Sequence, residues 1–198
     1  MADNPFQKFR GKYRIPSARL AGWDYATPGA YFITICTAGR AHLFGTVRNG
    51  QMILSTLGEI VREEWEKSFA IRRELECDAF VIMPNHIHAI VRIVPAVETD
   101  GPVNVETDCR PSLRKPQSPP AKTGVAYRAP KSISSFVAGF KSAATKRINE
   151  YRGTPGESVW QARFHDHIIR NQQEYERIAA YIAANPINWD QDIYFNKE

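Results

Sequence analysis

The chain has 198 residues, 43% of them hydrophobic and 11% aromatic, which predicts one globular domain and excludes a disordered or fibrous protein. No apolar run approaches the roughly 20 residues of a membrane helix, so we expect no membrane partner. The net charge is +5, and residues 1–22 carry much of it on Lys8, Arg10, Lys12, Arg14 and Arg19. This basic arm either contacts nucleic-acid phosphates or is only a solvated terminus.

The first half of the chain predicts a strand, a hairpin, a helix and two strands. Residues 30–39 form a buried strand, and Asn49-Gly50 marks a hairpin over 44–54. A helix runs from Ser55 to about Arg72. Residues 77–83 and 86–94 are strands joined by a turn at Pro84-Asn85.

The second half resumes after a proline-rich insertion, residues 95–130, which we predict to be flexible because it has neither a helical nor a strand period. A helix then begins at Ser132 and ends near Gly153, with an apolar stripe that reaches Tyr151. Residues 158–170 are predicted as a fourth strand. Asn171 and Glu174 form the N-terminal cap of a last helix that ends at Asn185-Pro186.

This order predicts an α+β fold, a ferredoxin-like antiparallel sheet (βαββαβ) with an added N-terminal hairpin and a C-terminal helix. Residues 23–94 and 131–190 form a single domain, with 1–22 as the arm and 191–198 as a C-terminal tail. Many unrelated functions share this fold, so the fold alone does not decide the function.

The third strand begins with two histidines, His86 and His88, that point to one face because residues two apart in a strand do so. Its other face is apolar and suited to packing on helices. An isolated pair of this kind is more often two hydrogen-bonded, half-exposed imidazoles than a metal site, since two ligands rarely hold a metal.

The last helix offers two polar side chains beside its apolar stripe. Tyr175, Ile178, Ala179 and Ile182 form the stripe, while Tyr181 and Asn185 are four residues apart and therefore neighbours on its flank. Each of these two residues alone is better explained as an ordinary rim or helix-terminating residue.

Together, the H-x-H of the third strand and the Y-x-x-x-N of the closing helix resemble the HUH (histidine–hydrophobe–histidine) single-tyrosine, IS200-like transposases. Within them, the chain looks like the REP-associated tyrosine transposases. The resemblance extends over residues 23–45, 81–91 and 159–189. The insertion at 95–130 has no counterpart.

The resemblance implies a metal-dependent endonuclease and strand transferase that acts on single-stranded DNA. It assigns Tyr181 as the nucleophile of a 5′-phosphotyrosyl intermediate, and His86, His88 and Asn185 as ligands of Mg²⁺ or Mn²⁺. It further implies palindromic DNA hairpins as substrate, a monomer or homodimer, and a cytoplasmic protein of a prokaryotic cell that acts at the nucleoid.

Other residues are candidates for contacts with DNA. Trp23 and Tyr25 could stack on bases, and the arm residues Lys8, Arg10, Lys12 and Arg14 could contact phosphates. A second H-x-H, His165 and His167, should lie about two strand spacings, near 10 Å, from the first pair. We therefore expect no shared metal, and DNA contact or local hydrogen bonding for these two histidines.

Two alternatives remain open at this point. The protein could be a domesticated DNA-binding module that no longer cleaves, or a metal-dependent phosphoesterase that uses water as its nucleophile. A covalent protein–DNA adduct distinguishes the transposase from both.

Overall fold

A computed structural model describes residues 23–95 and 131–195, together with the backbone of two short N-terminal strands. The predicted insertion, apart from Pro95, and the side chains of the basic arm lie outside the described residues. In the described part of the chain, no helix is both long and apolar enough to cross a bilayer.

The described part of the chain contains eight strands and three α-helices. The strands are β1 (Lys8–Phe9), β2 (Lys12–Tyr13), β3 (Gly29–Cys36), β4 (Gly45–Arg48), β5 (Gln51–Leu54), β6 (Leu75–Met83), β7 (His86–Ile93) and β8 (His165–Ile169). The helices are α1 (Thr56–Ile71), α2 (Ile133–Arg152) and α3 (Gln172–Ala184), with short 3-10 turns at Ala38–Arg40 and Trp189–Gln191.

The central sheet has four antiparallel strands in the order β6-β7-β3-β8. This confirms the predicted α+β fold and the separation of the third and fourth core strands by the first. The hairpin β4–β5 is also confirmed, and its turn residues Asn49 and Gly50 both have positive φ, as a two-residue type I′ turn requires.

The two faces of the sheet carry different layers. On one face, α1 and α2 pack over the main core, which includes Trp65 and Phe140 from the helices and Ile33 and Ile87 from the strands. On the other face, Ile178 and Ile182 of α3 pack on Ile90 of β7. The alternation of strand side chains therefore separates the main core from the face that α3 covers.

Two predictions about the second half of the chain need correction. The fourth strand is shorter than expected, because residues 158–164 form only an isolated bridge between Trp160 and Thr37 while Val159 and Trp160 are buried in the main core. Tyr151 does not continue the apolar stripe of α2 and is 63% exposed, since it lies in the last turn before Gly153 ends the helix.

Two helical glycines provide a matched test of this packing. A Cβ at Gly58 would lie 2.2 Å from the backbone oxygen of Phe44, whereas a Cβ at Gly139 would meet only the end of the Arg72 side chain at 3.5 Å. We expect Gly58→Ala to destabilise the fold by about 1–3 kcal/mol because backbone must move. Gly139→Ala should be neutral or stabilising by up to about 1 kcal/mol. Urea unfolding of both variants measures this, and a stabilised Gly58→Ala would contradict the close approach.

Candidate functional site

The first histidine pair lies where β7 begins, directly after the turn at Pro84-Asn85. In the register with β3, His86 pairs with Cys36 and His88 with Thr34. Both imidazoles lie on the face that α3 covers, as predicted, but they are more deeply buried than an isolated pair would be, with 0% and 1% of each residue exposed.

Asn85 fixes both the orientation and the tautomer of His86. Its side-chain Nδ2 donates to the backbone oxygens of Arg40 and Tyr194, at 3.2 and 2.8 Å, so its Oδ1 must face the other way. That oxygen lies 2.9 Å from His86 Nδ1, which must therefore carry the hydrogen. The neutral ring then presents a bare lone pair at Nε2.

His88 is held between a strand neighbour and the last helix. Its Nδ1 lies 2.8 Å from Thr34 Oγ1, and its Nε2 lies 3.2 Å from the hydroxyl of Tyr181. The two histidine rings are 4.4 Å apart between centroids. This arrangement directs both Nε2 atoms toward the space beneath α3, while both Nδ1 atoms are used for orientation.

Burial keeps both histidines neutral. Desolvation is the main cause that lowers the pKa of each to about 3, with the charge of Arg40 adding to it at His86 and the neighbouring His86 adding to it at His88. A neutral imidazole is the form that binds a metal, so no proton competes for these nitrogens at neutral pH.

The Tyr181 side chain lies at the edge of the buried pair, with 42% of the residue exposed. Its hydroxyl is 3.2 Å from His88 Nε2 and 3.4 Å from a carboxylate oxygen of Asp192. Burial and the negative charge of Asp192 raise the pKa of Tyr181 to about 12, so the side chain is a protonated phenol at neutral pH.

Asn185 ends α3 and is buried rather than placed at the rim. Its Nδ2 donates to Asp192 Oδ2 at 2.8 Å, which leaves Oδ1 without a hydrogen-bond partner among the described residues. His86 Nε2 likewise has no hydrogen-bond partner there. The Asn185 amide nevertheless lies close enough to His86 to oppose the lowering of its pKa. A bound cation would give Asn185 Oδ1 and His86 Nε2 the partner that these buried atoms lack among the described residues.

Asp192 completes the group, and sequence reasoning missed it. Within the described residues, His86, His88 and Asp192 each offer one ligand atom, and these atoms lie within 4.8 Å of one another. Trp189 and Tyr194 also pack against the His86 ring, with centroids at 5.9 and 4.6 Å. The segment after Pro186 has no strand or helix period, so the sequence predicts residues 191–198 only as a C-terminal tail.

An open cleft of about 540 Å³ lies beside this buried group and contains the second histidine pair. Thr34 pairs with His88 on one side and with His165 on the other, so both pairs lie on one face of the sheet. Neither His165 nor His167 belongs to the metal-type group found in the described part of the chain. Instead, His167 Nε2 lies 2.8 Å from a carboxylate oxygen of Glu174 at the start of α3.

Two of the predicted DNA contacts outside the cleft, Trp23 and Tyr25, belong to the described residues and lie on the main-core side of the sheet, away from the first pair. Tyr25 is only 9% exposed and packs on Tyr31 in the main core, which leaves no free ring face for a base and removes it from the candidates. The indole of Trp23 donates to Tyr31 on that same side of the sheet. The side chains of Lys8, Arg10, Lys12 and Arg14 lie outside the described residues, so their contact with DNA stays a prediction.

Comparison with solved structures identifies proteins of similar fold. The structure of a REP-associated tyrosine transposase bound to a REP hairpin matches with a TM-score of 0.55 and 22% identity, over 88% of this chain and 74% of that one. At this identity the match shows the fold alone. A candidate transposase of Deinococcus radiodurans R1 matches with a TM-score of 0.42 and 14% identity, over 84% of this chain and 96% of that one, and this weaker likeness carries no argument.

Sequence comparison shows the family. No protein-family model matches the chain. A Haemophilus influenzae (strain Rd) protein, described only as an uncharacterized protein, is 37% identical over 182 residues, which cover 92% of this chain and 93% of that protein. The chain belongs to the same family as this H. influenzae protein.

The lowered histidine pKa values make stability depend on pH. As the pH falls from about 6.5 toward 3, the unfolded chain binds protons at His86 and His88 and the folded chain does not, so the free energy of unfolding decreases. In His86→Gln the decrease should be shallower by up to about 1.4 kcal/mol per pH unit. Urea unfolding between pH 7 and 4.5 measures the slope. Thr46→Val, which changes an exposed side chain that does not titrate, is the control and should keep the wild-type slope.

Proposed function

We propose that the protein is a metal-dependent single-stranded DNA endonuclease and strand transferase of the transposase type, in which Tyr181 is the nucleophile. The observation that carries this proposal is the position of the Tyr181 hydroxyl, 3.2 Å from Nε2 of a buried neutral histidine and at the edge of an open cleft. The fold shared with a tyrosine transposase supports the same assignment.

The donor set fits a hard divalent cation such as Mg²⁺ or Mn²⁺. Nε2 of His86 and of His88 would hold it, with oxygen from the Asp192 carboxylate and the Asn185 amide. This mixed nitrogen and oxygen set lacks the thiolate or third histidine typical of zinc sites. When bound, the cation would supply Lewis-acid polarisation of the scissile phosphate.

The proposed chemistry is transesterification at phosphorus. The Tyr181 oxygen forms a bond to the scissile phosphorus as the bond from phosphorus to the 3′-oxygen breaks, which leaves a 5′-phosphotyrosyl link and a 3′-hydroxyl. The phenol proton must leave Tyr181, and the carboxylate of Asp192 is the anionic acceptor beside it. The leaving 3′-oxygen takes up a proton from solvent, and Asp192 returns the phenol proton to solvent, so the protons balance. The new ester conserves the bond energy, so a second 3′-hydroxyl can reverse the reaction and join another strand.

The proposed substrate is single-stranded DNA beside a palindromic hairpin. The structural match is to a transposase bound to a REP hairpin, which supports this choice. We further propose a cytoplasmic enzyme that works as a monomer or homodimer at the nucleoid. The basic arm of residues 1–22 would contribute phosphate contacts outside the cleft.

Tyr181→Phe tests the nucleophile. Because the substitution removes one hydroxyl and keeps the ring, DNA affinity should remain close to wild type while strand cleavage and the covalent adduct disappear. Incubation with a pool of single-stranded hairpins and Mn²⁺, followed by denaturing gels, measures strand cleavage and the covalent adduct. Tyr175→Phe is the matched control on the packing stripe of α3 and should stay active.

The same assay separates the alternative functions. Cleavage by Tyr181→Phe without an adduct would favour a phosphoesterase that uses water. Binding without any cleavage by the wild type would favour a non-cleaving DNA-binding protein. An adduct in Tyr181→Phe would show that another residue attacks.

Thr34→Val tests the proposed metal site without removing a ligand. The variant keeps the shape of the side chain but deletes the oxygen 2.8 Å from His88 Nδ1, so the ring loses the partner that orients it. Affinity for Mn²⁺, measured by calorimetry without DNA, should fall about 10- to 100-fold. Thr46→Val on the exposed side of β4 should bind Mn²⁺ like the wild type. Equal affinity in the two variants would contradict a metal at His88.

A further inference from the structure

We propose that Arg177 and His165 form a strand-binding subsite that holds the single-stranded DNA next to Tyr181. This inference rests on the proposed function and deepens it. It assigns a role to the second histidine pair that does not involve the metal. In it, Arg177 contacts a backbone phosphate and His165 stacks on a base or sugar, while His167 is a positioning residue.

The side chains of the proposed subsite share one cleft with Tyr181. Glu174, Arg177, Ile178 and Tyr181 occupy positions i, i+3, i+4 and i+7 of α3, so they share one face of the helix, and this face forms a wall of the cleft. His165 and His167 of β8 form the opposite wall. The cleft therefore leads from the hydroxyl of Tyr181 along the helix toward its N-terminus.

The acidic residue in the cleft, Glu174, already has hydrogen-bond partners within the chain. One carboxylate oxygen of Glu174, Oε2, accepts a hydrogen bond from the backbone nitrogen of Arg170 at 2.9 Å, and the other, Oε1, lies 2.8 Å from His167 Nε2. These contacts lower the pKa of the Glu174 carboxyl. His167 thereby ties β8 to the start of α3, two turns before Tyr181.

Arg177 is an exposed cationic side chain that lines the cleft. Its guanidinium lies 3.9 Å from Glu174, a long contact, and the side chain is 74% exposed. An exposed guanidinium held this loosely can turn to a phosphate at little cost, because few of its contacts have to be broken.

The floor of the cleft is aromatic. The ring of Phe32 stacks on His88 at 5.3 Å, and it meets Tyr181 and His165 edge-on at 6.3 Å each. Phe32 thus lies between the proposed nucleophile and an exposed imidazole. An aromatic platform beside a cationic side chain is the combination that binds single-stranded nucleic acid without reading its sequence.

Binding of an oligothymidylate of about 12 nucleotides, within the length a single-strand groove covers, tests the subsite in the full-length chain. Fluorescence anisotropy in EDTA over a range of salt gives the affinity and the salt slope without any cleavage. Arg177→Ala should weaken binding and flatten the slope of log K against log salt by about 0.7, the value for one phosphate contact on a single strand. Arg177→Lys should keep the wild-type slope. His165→Ala should weaken binding by about fivefold or more.

Arg62→Ala is the matched control. Arg62 is also an exposed helical arginine paired with a glutamate three residues before it, Glu59, but it lies on α1 at the other face of the sheet. It should bind the oligonucleotide like the wild type. If Arg177→Ala matches Arg62→Ala in affinity and slope, or if the wild type does not bind oligothymidylate, the subsite is wrong.

The outcome is separate from that of the proposed function. Suppose that the wild type forms an adduct with the hairpin pool and that Arg177→Ala keeps the wild-type slope of log K against log salt. These results overturn the subsite and leave the transposase proposal intact. A flattened slope without any adduct supports the subsite as a single-strand contact and overturns the cleavage proposal.

Discussion

The antiparallel register between β3 and its two neighbours is the constraint on which the rest of the structure depends. Thr34 pairs with His88 on one side and His165 on the other, so one residue of the central strand sets the position of both histidine pairs. Since side chains alternate in a strand, a slip of one residue would turn the histidines into the main core and expose Ile87 and Ala89 to α3. The apolar face of β7 therefore defines the site as strongly as any polar contact, because burial of that face under α1 and α2 fixes which way the histidines point.

Burial then determines the chemistry of the first pair. Burial of a histidine costs free energy when the ring is charged or when its nitrogens lack hydrogen-bond partners. Both rings are neutral, and neighbours in the sequence or the sheet supply a partner to each Nδ1. Asn85 precedes His86 directly and accepts from its Nδ1, while Thr34 serves His88. His86 Nε2 and Asn185 Oδ1 are left as buried lone-pair atoms without a hydrogen-bond partner among the described residues. They lie next to Tyr181, whose phenol is protonated at neutral pH. Such a group is poised for a cation, which would satisfy the lone pairs and stabilise the phenolate at the same time.

The sequence predicts much of the fold because periodicity and turn chemistry are local. The stripes of α1 and α3, the Asn49-Gly50 turn and the alternation in β7 each specify an element without knowledge of its neighbours. The prediction fails where burial comes from tertiary contact alone. Trp160 is buried without belonging to a regular strand, Tyr25 enters the core from a loop, and Asp192 reaches the histidines from a segment with no period. For the site, spacing brings together His86 with His88 and Tyr181 with Asn185. No spacing rule links either pair to Asp192, which lies in the irregular segment after Pro186.

The two histidine pairs have the same spacing on the same face, yet one is buried and the other lines an open cleft. The difference comes from the path of α3, which packs mainly on β6 and β7 and leaves a cleft open over part of β3 and β8. His86 and His88 lie under the covered half, where exclusion of water favours a neutral, metal-binding form. His165 and His167 lie on the open half, where a polymer can enter. Tyr181 stands at the boundary, with its hydroxyl against His88 and nearly half of the residue exposed. In the proposed function, the nucleophile has to meet both a buried cation and a long strand of DNA, and a residue at this boundary can meet both. The placement of α3 over one part of the sheet face therefore creates both parts of the proposed site.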